Sequence, residues 1–544
     1  MKKNTFIEGT IISYILIIIT KLMGALYVIP FYHIVKEQGW ILNTYAYNVY
    51  NLFLNISTSG IPVAVAIIIA EYNALKMINE REYAYKIATK VISIFSVVAF
   101  LIMFIFAKYI ALFFIKGIDV GTSLSSIVVV IRVVSLCILI IPFLSITRGY
   151  LQGNKYVSPS SFSQLLEQIV RIFIVLVGSY VAINVLNKSI TLGVSISLLG
   201  AFFGGLVAFL YLKSKIRKNR KEFDKGKTNE PIKVTQKEII KKIVFYSIPV
   251  VIVSLTQNIY EIVDFKFILK GLVKIGLDGA TAESYATMIT ASAPKICMVI
   301  NALALGLVAS IIPFIVNEFV NKNKDNMNKL FNQAISTILY ISIPLSCFII
   351  LFSNEIFRIF YLESNVGSII LKTNSVVSIF FSINLVINTI LQSMKKYKLI
   401  YINSIAGLLL NIILDIPLII LFNKIGFYPY IGTLVATICG QLLSIIIVLI
   451  SLKCEFKFSY KEILINLIKV VINVIPIAII MYLMGLLFKG TTTFIILIKV
   501  SLCGGIPAIL YLILTYKDKL MENIFKQDML KKILGRFKKG DINE

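Results

Sequence analysis

Histidine is all but missing from this 544-residue chain, with His33 the only one. Imidazole metal centres and Ser-His-Asp catalysis therefore have almost nothing to be built from. Cysteine is scarce too. Cys137, Cys297, Cys347, Cys439, Cys454 and Cys503 form no C-x-x-C pair, and five of the six sit inside apolar runs, where they read as small hydrophobes. No G-x-x-x-x-G-K-[ST] loop is present to cradle ATP phosphates, so any transport is not driven by an ATPase within the chain. Acids are few: 27 Asp plus Glu stand against 54 Lys plus Arg, a net charge of +27, yet charged residues make up only 15% of the chain.

What the chain has instead is apolar surface. Hydrophobic residues reach 58% and mean hydropathy is +0.88, against roughly 45 to 50% apolar and about 25% charged in soluble domains. A soluble enzyme is excluded. Nucleic acid is not a partner either, because a nucleic-acid binder spreads its bases over a solvated face, whereas here they fall between apolar segments.

A bilayer core needs about 20 apolar residues of helix, and fourteen runs qualify: 10–32, 44–70, 91–107, 124–146, 159–183, 190–212, 243–269, 284–316, 330–352, 373–391, 399–422, 429–452, 470–488 and 500–516. These are spans 1 to 14. The Met-Lys-Lys-Asn start precedes a span with no small-residue cleavage site, and reads as a retained first helix. With both termini in the cytoplasm, 38 of the 54 basic residues fall on inner segments, 12 on outer ones and four deep within helices. This three-to-one bias is the positive-inside pattern of a multi-pass protein of a bacterial plasma membrane.

The expected fold is all-α and polytopic, with fourteen transmembrane helices in two parallel six-helix lobes plus two C-terminal helices. The lobes are residues 1–213 and 243–452, joined by a basic, solvated cytoplasmic linker at 214–242; spans 13 and 14 occupy 453–516. A basic tail at 517–544 places Leu520, Ile524, Leu530, Leu534 and Phe537 on one amphipathic face, suited to the anionic inner leaflet. An internal repeat supports the division. Leu151-Gln152 with Lys155-Tyr156 recurs as Leu391-Gln392 with Lys396-Tyr397, and Gly60 to Glu71 resembles Gly306 to Glu318. Parallel repeats of this kind commonly enclose a cavity that opens to alternate sides. The chain is expected to act as a monomer.

Eight ionisable residues lie within spans: Lys21, Arg132, Glu167, Arg171, Glu261, Asp264, Lys295 and Asp415. Each costs about 2.5 to 3.5 kcal/mol at a helix centre on the insertion scale, so each needs a partner or a wet cavity. Cations dominate the first lobe, where a low-dielectric wall concentrates anions and arginine matches phosphate oxygens. Glu167 and Arg171, four apart, can also pair locally. The substrate set is Lys21, Arg132, Glu167, Arg171 and Lys295. In the second lobe Asp264, Asn411, Asp415 and Thr437 converge by depth, with Thr433 one turn before Thr437. Such oxygens suit a coupling ion, Na⁺ or a proton, or acids satisfied by hydrogen bonds alone. No other cofactor is called for.

The stretches KLMGALYVIPFYHIV (21–35), STSGIPVAVAIIIAEYNA (57–74), RGYLQGNKYVSPSSFSQLLEQIVRI (148–172), SIPV (247–250) and LNIILDIPLI (410–419) resemble the MurJ and stage V sporulation protein B group of polysaccharide-biosynthesis flippases. That group is a branch of the multidrug/oligosaccharidyl-lipid/polysaccharide flippase superfamily. The resemblance implies a secondary transporter that moves lipid II, an undecaprenyl-diphosphate-linked peptidoglycan precursor, to the outer leaflet. It also implies that Lys21, Arg132 and Arg171 contact diphosphate and sugar, that Asp264, Asn411, Asp415 and Thr437 match a sodium site, and that spans 13 and 14 border a groove for the polyprenyl tail. Lys21 stands where relatives often carry arginine. The rival reading within the fold is a drug or other polysaccharide-lipid exporter. The rival of another class, a membrane glycosyltransferase or polymerase, lacks the large outer loop it needs, since the longest here is 270–283.

Overall fold

The computed structural model describes residue 16 and residues 19–229, 231–308, 311–488, 490 and 492–525. Among them every regular element is helical, as a lipid-embedded backbone requires, because only a helix satisfies its own amide groups without water. Eleven helices are long and apolar enough to cross a membrane, and they coincide with spans 3 to 7 and 9 to 14. The other three expected spans are not among them. Span 1 begins outside the described residues. Span 2 bends by 49° between Ile19–Asn55 and Thr58–Ala74, where a π-helical turn, Ile56–Gly60, widens the ladder. Span 8 is divided into Gly279–Thr287, the π-turn Met288–Ser292 and Ala293–Val308.

Local chemistry sets the helix ends. Ser123 and Ser189 cap spans 4 and 6 by accepting from Ser126 N and Leu192 N. Thr235 and Glu238 form a reciprocal capping box at the start of span 7. Pro249, Pro344, Pro417, Pro476 and Pro507 lie inside helices.

The chain divides into two compact units, Met1–Ala291 and Ser292–Glu544. Span 7 packs with the first, so division by packing falls later than division by sequence repeat. In the first unit, glycines at two places allow backbones to touch. A Cβ on Gly149 would lie 2.4 Å from Pro62 O, and one on Gly153 2.6 Å from Ala66 O. The Arg-Gly-Tyr-x-Gln-Gly corner thus seats span 4 on span 2 through a small-xxx-small face.

The linker is not merely solvated. Phe223 is buried, with its ring 5.5 Å from Tyr150 and 5.2 Å from Tyr156. Arg81 donates to the Phe223 carbonyl and pairs with Glu82 at 2.8 Å, while Glu80 accepts from Lys233 N at 3.2 Å. Lys242 meets Glu71 at 2.6 Å. At the far end of the chain Leu520 and Ile524 are buried within the protein; the rest of the expected amphipathic tail, 526–544, lies outside the described residues.

The two repeat corners share one backbone conformation. Leu151 O accepts from Tyr156 N at 2.9 Å and Gln152 O from Lys155 N at 2.9 Å; Leu391 O accepts from Lys396 N at 2.8 Å and Gln392 O from Lys395 N at 3.0 Å. These are Schellman closures. Their left-handed residues are Lys155 (φ 67°) and Lys395 (φ 56°), and the ends of spans 2 and 8 repeat the pattern with Lys76 (φ 58°) and Lys322 (φ 56°). Lys457 (φ 58°) and Lys519 (φ 55°) are also left-handed, after spans 12 and 14. Corners that the charge count assigns to the outside use Gly117, Asn187, Gly276, Leu362 and Gly426, with Lys36 the exception.

Candidate functional site

In the first unit the charged side chains find partners the helical spacing does not suggest. Glu167 pairs with Arg148, Nη2 to Oε2 at 2.8 Å, both largely shielded, and Arg148 Nε also donates to Ser163 Oγ at 2.8 Å. Arg171 instead donates through Nη2 to Tyr47 Oη and lies 5.5 Å from that ring centroid. Its Nε is buried without a hydrogen-bond partner among the described residues. A planar fork with one arm held and another donor open is ready for a second acceptor. Lys21 is exposed and sits one turn before Gly24, whose Cβ position would lie 3.3 Å from Gln168 Nε2, so it stands near span 5. Arg132 has different neighbours: it is exposed, 5.4 Å from the Phe104 ring, and donates from Nε to Phe104 O at 3.3 Å. Asp264 is buried in this unit on span 7, with Glu261 half-buried one turn earlier.

The second unit holds Lys295, half-buried at the start of Ala293–Val308, and the oxygen cluster. Helix Tyr397–Lys424 packs along Ile431–Phe456, and the contact is closest at Gly432, where a Cβ would stand 2.6 Å from Ile419 N. That approach brings span 12 onto the face carrying Asn411 and Asp415. Asn411 Nδ2 donates to Asp415 Oδ1 at 3.4 Å and to Thr437 Oγ1 at 3.3 Å, and Thr437 Oγ1 donates to Thr433 O at 3.0 Å. Asn411, Asp415 and Thr433 are fully buried.

Asn411 Oδ1 and Thr433 Oγ1 have no hydrogen-bond partner among the described residues. Buried oxygens left over after the amide has used its donors, beside a carboxylate, form a donor set that fits a hard monovalent cation. Among the described residues no group of three His, Cys, Asp or Glu side chains gathers. Four of the five expected cation residues therefore share one unit and are linked by hydrogen bonds, while Asp264 belongs to the other unit. Arg148 was missed as a site residue. Its only sequence signal is its place in the Arg-Gly-Tyr-x-Gln-Gly corner, because its acid partner lies nineteen residues on, in the next helix.

Comparison with known proteins places this arrangement in a family. The model of the family described as "Polysaccharide biosynthesis protein" matches residues 6–292, and that described as "MatE" matches residues 249–416. The lipid II flippase MurJ of Bacillus subtilis (strain 168) is 30% identical over 467 residues, 84% of each chain. This chain belongs to the polysaccharide-biosynthesis family, in its MurJ-type flippase branch. Stage V sporulation protein B of the same organism is 22% identical over 76% of this chain and 77% of its own. A solved lipid II flippase MurJ, in an inward closed conformation, superposes with a TM-score of 0.63 over 93% of this chain and 99% of that one at 18% identity, a likeness of fold. The family member is thus a multi-pass bacterial membrane protein and a secondary transporter, not an enzyme. The glycosyltransferase reading falls away.

Proposed function

We propose that the chain flips lipid II, an undecaprenyl-diphosphate-linked saccharide, from the inner to the outer leaflet by alternating access. The observation that carries this reading is the 30% identity to the lipid II flippase over 84% of both chains. The unpartnered Nε of Arg171, buried here, is what a diphosphate oxygen would engage once alternating access opens the site, with Lys21 and Arg132 as further cationic contacts and the Arg148–Glu167 pair holding span 5 against the corner. Shared Schellman corners support two parallel six-helix lobes, the linker pinning the first, and spans 13 and 14 would flank the polyprenyl tail. Both termini are cytoplasmic in this reading, and the protein works as a monomer.

With the cytoplasm negative, outward movement of the diphosphate releases up to about 2.3 kcal/mol per elementary charge per 100 mV. Binding of Na⁺ at Asn411, Asp415, Thr433 and Thr437 would favour one state and so bias the return of the empty cationic site. Fluorescent lipid II in proteoliposomes tests both parts. Transport by the wild type that falls in Lys21→Ala/Arg132→Ala/Arg171→Ala supports the site, and wild-type rates in that variant sink it; sodium-independent rates sink the coupling ion. Similarity to stage V sporulation protein B supports a second reading, export of a related lipid-linked saccharide for the spore wall. The precursor that accumulates on depletion separates the two.

A further inference from the structure

A cavity of about 320 Å³ lies in the second unit between the first turns of spans 9 and 13 and the short helix Leu520–Phe525 that follows span 14. Lys329, Gln333, Glu462, Asn466, Lys469 and Asn523 supply its polar lining. That short helix is fastened: Gln333 Nε2 donates to Ile524 O at 2.7 Å, and its Leu520 and Ile524 are buried. Asn466 Nδ2 donates to Ser336 Oγ at 3.0 Å, which fixes one wall.

Two features give the cavity a direction. Its ammonium groups outnumber its carboxylate two to one, and amide donors stand beside them, the composition that recognises a phosphate. Ile465, which also lines it, begins an exposed apolar lane along span 13 through Ile468, Ile472, Ile475 and Ile479. Steps of three and four residues keep that lane on one helix face. A polar basin at the membrane-entry end of a helix, continuous with an apolar lane running into the bilayer, has the shape of one lipid.

We propose that this cavity binds the anionic phosphate headgroup of a membrane phospholipid, with one acyl chain laid along the Ile465–Ile479 face of span 13. Lys329 and Lys469 contact the phosphate, and the chain segment Leu520–Ile524 closes over it. Seating the lipid thereby ties the stretch after span 14 to spans 9 and 13. The leaflet is the inner one on the orientation proposed above; the binding itself requires no step of lipid II transport.

The test is native mass spectrometry of the full chain in neutral detergent, titrated with dioctanoyl phosphatidylglycerol, dioctanoyl phosphatidylcholine and inorganic phosphate, with no transport measured. Preferential retention of phosphatidylglycerol, lowered at least tenfold in Lys329→Gln/Lys469→Gln at unchanged melting temperature, is the expected result, since both charge-assisted contacts to the phosphate are removed. Lys469→Arg, which keeps the charge, retains binding. Equal retention of the two lipids, unchanged binding in the double variant, or inorganic phosphate bound as tightly as phosphatidylglycerol would overturn the proposal. Failure here leaves lipid II transport untouched, and failure of transport leaves this binding readable.

Discussion

Around Glu167 and Arg171 the first unit handles buried charge with charge and an aromatic ring, whereas around Asp415 the second handles it with neutral oxygens. Glu167 is neutralised by an arginine from another helix and Arg171 is held on a tyrosine, leaving a cationic donor open. Around Asp415 there is an amide and two hydroxyls, leaving acceptors open. The lesson is chemical. Partial satisfaction of a guanidinium leaves a place for an anion, and partial satisfaction of a carboxamide and a threonine leaves a place for a cation. On the proposed function, each of these two sites takes one sign of ligand according to which of its hydrogen-bonding groups is left over.

That contrast can be broken most forcefully at Arg171. Arg171→Ala removes the open donor and should lower lipid II transport by about 10- to 100-fold, the equivalent of one or two charge-assisted contacts, with the sodium response of the remaining rate unchanged. A sodium response lost together with the rate would mean the two units do not divide the work. Asp415→Asn should do the reverse, abolishing sodium dependence measured between sodium and potassium buffers while lowering the rate by only about tenfold, roughly 1.4 kcal/mol of coupling.

Smaller and purely steric is Gly432→Leu. It leaves every oxygen in place but forces spans 11 and 12 apart at Ile419, and overpacking of this kind costs about 1 to 3 kcal/mol, seen as a lower melting temperature and weakened sodium dependence. An unchanged melting temperature would show that the close crossing does not hold the cluster together. Smallest is Glu283, at the end of the expected loop 270–283 in the first unit, which accepts from Tyr45 Oη at 2.8 Å and Thr122 N at 3.1 Å. Burial pushes its carboxyl above the ordinary value of 4.5. Its protonated form is therefore favoured in the folded chain: the contribution is fully present below about pH 4.5 and is lost as pH rises through the raised value. Glu283→Gln should flatten that part of the stability profile, and a profile identical to wild type would remove Glu283 as its source.

Much of this was legible in the sequence, and the limits have a physical cause. Apolar runs located eleven helices because lipid demands continuous hydrophobicity; the remaining three spans are broken by π-turns, a bend or undescribed residues, none of which hydropathy registers. Asn411 and Asp415 were readable as neighbours because they are one turn apart, and Thr437 because depth from the helix end places it at their level. Arg148 with Glu167, and Phe223 with Tyr150 and Tyr156, were not readable, since each joins residues whose proximity depends on how helices cross. The same rule explains why the i, i+4 pairing of Glu167 with Arg171 was outcompeted: a helix face permits that pair, and tertiary contacts offered each residue a better partner.

The lysines in left-handed corners carry a practical consequence. A non-glycine residue at positive φ costs about 1 to 2 kcal/mol, and glycine at Lys76, Lys155, Lys322, Lys395, Lys457 or Lys519 would relieve that strain. On the proposed orientation it would also erase charges that mark the inner side during insertion. Stabilising the fold and declaring its orientation are thus opposed at those six corners. Leu362 has no such double duty: with φ 70° and ψ −179° it occupies a region that only glycine tolerates well, and it bears no charge. An engineer seeking a hardier protein should begin at Leu362 and leave the lysine corners to the insertion machinery that reads them.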